Sequence, residues 1–113
     1  MPDVEDAKLL RIHFSEGKTF QGRPLHESII GKCREFGIAG ASVFRGLEGF
    51  GETAEVHRHR VVHPDLPVVI VIADEAGKLA RLIPEVERMM DSGVIAISDV
   101  KARRITRGGV PRE

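Results

Sequence analysis

The chain has 113 residues, enough for one domain whose folding buries roughly 60–65% of the surface the open chain exposes. Seventeen Lys and Arg balance seventeen Asp and Glu, and this zero formal charge removes the electrostatic case for broad nucleic-acid binding. A single cysteine, Cys33, excludes an intrachain disulfide, and the absence of Tyr excludes control by tyrosine modification. The acidic start MPDVEDAK lacks the apolar stretch of a signal peptide, and the longest apolar run, 68–73, is too short to cross a bilayer. The expectation is a cytoplasmic protein.

Residues 1–7 read as a loose leader. In 8–14 the residues Leu10, Ile12 and Phe14 alternate onto one face, which predicts a strand. The stretch 16–23 is polar, holds two glycines and reads as a loop. Pro24 suits the first turn of a helix, where its missing N–H costs nothing. Leu25, Ile29, Ile30, Cys33 and Phe36 follow at helical spacing, and Gly37 suits the helix end. Residues 39–45 predict a second strand. A glycine-rich turn follows, Arg45-Gly46-Leu47-Glu48-Gly49-Phe50-Gly51, and then a polar excursion over 52–67.

The run 68–73 predicts a third strand. Asp74 is placed as a helix N-cap with Glu75 just inside, and Leu79, Leu82, Ile83, Val86 and Met90 mark a second amphipathic helix. Pro84 inside that pattern predicts a kink or a late helix start. Ser92-Gly93 ends the helix, and 94–98 predicts a fourth strand. The segment 101–113 is basic, with 105–113 expected as a flexible tail. The order βαββαβ gives an α+β fold, ferredoxin-like, in a single domain: a four-stranded, mainly antiparallel sheet with two helices on one face. The third strand is apolar at every position, whereas a strand with one wet face would alternate. Its second face needs a cover, which predicts a homo-oligomer.

Three glycines within 46–51 permit positive φ and let backbone N–H groups converge on an anion, with Arg45 beside them. The turn lacks the spacing of a P-loop or of GxGxxG, and by itself it is also the signature of a tight bend. Its company adds more. Gly22-Arg23-Pro24-Leu25, then GIAGASVFRGLEGFG at 37–51, then Asp65-Leu66-Pro67 together resemble the domain-of-unknown-function family 190, over 8–104. That family is grouped with the PII-like proteins. The resemblance implies a trimeric signalling protein with an effector nucleotide (of the ATP, ADP or AMP type) between subunits.

It implies one wall at the loop base, Arg45, Gly46, Gly49, Phe50 and Gly51, and another at the helix–strand turn, Asp91, Ser92 and Gly93. It implies a third in the basic segment Lys101, Arg103 and Arg104. Ser98-Asp99-Val100 followed by Arg103-Arg104-Ile105-Thr106-Arg107-Gly108 is similar, with shorter spacing, to the PII ending whose arginines hold phosphates. The excursion 52–67 stands where PII proteins carry the loop that contacts a regulated partner, often a membrane transporter.

His57 and His59 point to one side of an extended chain, and two imidazoles there could take zinc or copper. The related CutA-type metal-tolerance trimers make this the alternative, although Arg58 and Arg60 oppose a cation. A ligand-free interaction module is the third reading. His13 reads as a strand residue, His26 as a surface residue and Cys33 as core packing. No nucleophile and base stand together, so no catalytic residue and no enzyme activity are expected.

Overall fold

The computed structural model describes residues 7–49, 57–58 and 66–105. Strand β1 (Ala7–Ser15) leads into a small hairpin of β2 (Thr19–Phe20) and β3 (Arg23–Pro24). Helix α1 (Leu25–Glu35) and strand β4 (Ala41–Arg45) follow, and then β5 (Glu48–Gly49) paired with β6 (His57–Arg58). Strand β7 (Pro67–Glu75), helix α2 (Ala76–Met89) and strand β8 (Val94–Val100) complete the described chain. The main sheet runs β4-β7-β1-β8, and every neighbouring pair is antiparallel. This is the expected ferredoxin-like arrangement, with an antiparallel sheet throughout.

Alternation along β1 and β7 explains the core. Leu10, Ile12 and Phe14 of β1 and Val68, Ile70 and Ile72 of β7 are buried on one face. They meet Leu25, Ile29 and Cys33 of α1 and Leu79, Leu82, Val86 and Met89 of α2. Both helices therefore lie on that face. Register fixes what the other face presents. Phe44, Val69, His13 and Val94 form one row across it; Ser42, Val71, Arg11 and Ala96 form the next. Phe44 and Val94, at the two edges, are 57% and 59% exposed, and Val69, Val71 and Ala73 are only half-buried.

Several local expectations change. Ala7, assigned to the leader, is the buried first residue of β1. Residues 39 and 40 precede β4 rather than belonging to it. The loop at 16–23 contains a tight hairpin: Gln21 (φ 52°) and Gly22 (φ 80°) both take positive φ, as a two-residue turn of matching twist requires. Helix α2 begins well before Pro84 and runs through it, so there is no late start. Asp74 is not the N-cap; that position is Glu75. Asp74 instead shares the inward parity of Val68, Ile70 and Ile72, and its fully buried carboxylate accepts from the backbone N–H of Ala39 (2.8 Å) and of Glu75 (2.7 Å). Lys78 donates to the Gly37 carbonyl at 2.9 Å and stands 3.9 Å from Asp74. This corner ties the end of α1 to the start of α2.

Candidate ligand site

The antiparallel register sorts the candidate residues by end and edge of the sheet. Arg45 closes β4 opposite Val68, and Val68 is opposite Phe14 of β1. Ser92 and Gly93 precede Val94, which is opposite His13. The loop base and the helix–strand turn thus share one end of the sheet but sit at its two edges, about 14 Å apart across three strand spacings. Lys101, Arg103 and Arg104 leave β8 from Val100, opposite Ala7, at the far end, about 20 Å along the strand. All three are exposed. One chain therefore does not bring the three proposed walls together. Phe50 and Gly51 lie outside the described residues, as do His59, His63, Thr106, Arg107, Gly108 and most of the excursion 52–67.

The glycines have structural reasons of their own. Gly46 has no positive φ; a Cβ there would lie 2.6 Å from Cγ of Pro67, and its N–H donates to the Pro67 carbonyl at 2.7 Å. The expected positive φ at this residue is replaced by close packing. Gly93 does take positive φ, 129°, and a Cβ there would lie 2.4 Å from the carbonyl oxygen of His13. A short ladder joins the glycine-rich turn to the excursion, with Glu48 opposite Arg58 and Gly49 opposite His57. At its other end Leu66 is buried, a core position the sequence did not reveal.

Two ion pairs join these walls to the turn between β1 and β2. Arg45 Nη2 lies 2.5 Å from Glu16 Oε2, and Lys18 Nζ lies 3.3 Å from Asp91 Oδ1. The Lys18 ammonium, with a bond from the Ser92 hydroxyl (3.2 Å), holds the Asp91 carboxyl below the usual carboxylate range. At the far end Lys8 lies 2.5 Å from Asp99 and holds that carboxyl low in the same way. Neither Glu16 nor Lys18 was a sequence candidate; each is an ordinary loop charge until the fold brings its partner close. Burial pushes the Cys33 thiol up to about 11, which agrees with its place in the core. Among the described residues no three His, Cys, Asp or Glu side chains gather as a metal site. No helix among them is long and apolar enough to cross a membrane.

The model of the domain-of-unknown-function family 190, described as "Uncharacterized ACR", matches residues 7–102. The chain belongs to this family. A UPF0166 protein of Aquifex aeolicus (strain VF5) is 38% identical to it over 100 residues, 87% of this chain and 94% of that one. Among solved structures, CPII of Thiomonas intermedia K12, bound to ADP and bicarbonate, superposes with a TM-score of 0.67 at 18% identity, covering 87% of this chain and 89% of that one. CPII is a nitrogen regulatory PII-like protein. The divalent ion tolerance protein CutA1 of Ehrlichia chaffeensis superposes with a TM-score of 0.58 at 14% identity, covering 84% and 81%. The family-190 chain thus has the PII-like fold, which it shares with CutA1.

Proposed function

We propose that this family-190 protein is a PII-like regulatory protein, a homotrimer that binds an adenine nucleotide between subunits. The observation that carries the reading is its fold likeness to CPII, a protein seen with ADP. The separation of the walls is consistent with it. Arg45, Gly46 and Gly49 with Phe50 and Gly51 would form one wall, Ser92 and Gly93 the turn wall, and a neighbouring chain would supply Lys101, Arg103 and Arg104. The half-buried apolar face would be covered by the other subunits. Occupancy would then change how 52–67 meets a protein partner, such as a membrane transporter.

Titration calorimetry with ADP tests this. Binding is expected in the wild type, weakened about tenfold by Arg45→Ala and by Arg103→Ala, since each removes a charged phosphate contact. A chain that binds no adenine nucleotide would overturn the reading. Zinc and copper belong in the same titrations. Binding of either that His57→Ala abolishes would favour a CutA-like function instead, and no response to nucleotide or metal would leave a ligand-free interaction module.

A further inference from the structure

The turn between β1 and β2 delivers a carboxylate to the loop base from a fixed position. Lys18 N–H donates to the Ser15 carbonyl (3.0 Å), and Glu16 N–H donates to the Leu66 carbonyl (2.8 Å). The next residue, Pro67, accepts from Gly46 N–H (2.7 Å), and its ring fills the space that Gly46 leaves. Glu16 and the Arg45-Gly46 step are therefore pinned to two successive residues, the first of them buried. Their side chains meet as the Arg45–Glu16 pair at 2.5 Å. Within that pair the Arg45 side chain is 57% exposed and Glu16 only 29%. The Arg45 side chain is the more open to solvent, and the Glu16 side chain stands recessed beside it. A pair this exposed is weak, so an anion of higher charge can replace the carboxylate.

We infer that Glu16 is an internal competitor for the ligand: its carboxylate holds the Arg45 guanidinium that an anionic ligand would contact, and the ligand binds by displacing it. The inference rests on the anion-site reading above and adds to it a residue that sets affinity without touching the ligand. Neutralising Glu16 should therefore tighten binding, whereas a residue that merely braces the loop base would loosen binding when removed.

The experiment is titration of ADP, with inorganic pyrophosphate as a second probe, into wild type, Glu16→Gln, Arg45→Ala and the double variant. Glu16→Gln is expected to bind about two- to fivefold tighter, and this gain should vanish in the Arg45→Ala background. High salt should shrink it. Glu16→Ala should shift affinity in the same direction, and circular dichroism verifies that each variant is folded. Unchanged or weaker binding in Glu16→Gln and Glu16→Ala, with the Arg45→Ala loss intact, overturns this inference and leaves the anion site standing. Absence of binding in every variant overturns both.

Discussion

The two faces of the central sheet are drawn from the same strands, and the chain finishes only one of them. On the helix side, Leu10, Ile12, Ile70 and Ile72 are sealed under α1 and α2. On the other side, Val69, Val71 and Ala73 stay half-buried, with His13 of β1 and an exposed Phe44 flanking Val69, and Arg11 and Ser42 flanking Val71. Strand β7 is apolar at every position of 68–73, so both of its faces are apolar, and the helices cover one of them. The first face answers for the stability of the subunit. The second, in the proposed trimer, answers for assembly. Substitutions on the two faces should therefore fail in different ways.

Ile70→Ala on the sealed face should produce the largest effect, a loss of about 2–5 kcal/mol in urea unfolding, because a fully buried central side chain leaves a cavity. Val71→Asp, one residue along and facing the other way, should leave the secondary structure intact by circular dichroism and shift the sedimenting species to a single chain. If Val71→Asp lowers the stability of the chain as Ile70→Ala does, the two faces are not separable. Asp74→Ala should cost about 2–4 kcal/mol in the same unfolding assay, since it strips acceptors from the Ala39 and Glu75 N–H groups inside a buried corner. A loss under ~1 kcal/mol would mean that the corner reorganises.

The pH effects are smaller. Cys33, raised to about 11 from 9.0, stays protonated in the folded chain over a range in which the unfolded chain ionises. Its contribution is therefore complete below pH 9.0 and lost as the pH rises towards about 11. Cys33→Val should flatten this alkaline slope relative to wild type; equal slopes would remove Cys33 as its cause. Asp99, lowered from 3.8 by Lys8, contributes above pH 3.8 and loses its contribution as the pH falls through its depressed value. Asp99→Asn should differ slightly from wild type at neutral pH and converge with it in acid. A difference that persists in acid would come from something other than the Lys8 pair. Both residues of that pair are exposed enough for salt to shrink the effect.

Sequence periodicity carried the fold well where periodicity was the cause. The alternation of Leu10, Ile12 and Phe14, the uniform 68–73 run and the helical spacing of Leu25, Ile29 and Cys33 each reflect local physics, and the antiparallel ferredoxin-like order followed from their sequence; Pro24, expected in the first turn of α1, instead stands just before it at the N-cap. The parity of 68, 70 and 72 also marks Asp74 as inward, yet an aspartate before a helix reads first as a cap, and that local rule hid its buried role. The hairpin at Gln21-Gly22 was missed because Gln is not a usual residue at positive φ. Leu66, Glu16 and Lys18 were invisible for a different reason. Their partners lie far away in the sequence, and no spacing encodes such a meeting. For the candidate site, the sequence offered only a set of segments carried by a family resemblance; that they occupy both ends and both edges of the sheet in one chain needed the strand register.

Sedimentation equilibrium of the wild-type chain at micromolar concentration tests the central claim most directly. The account predicts a species of three times the 12.4 kDa chain mass, as an unfinished sheet face covered by two further copies requires. A single species at 12.4 kDa would contradict it.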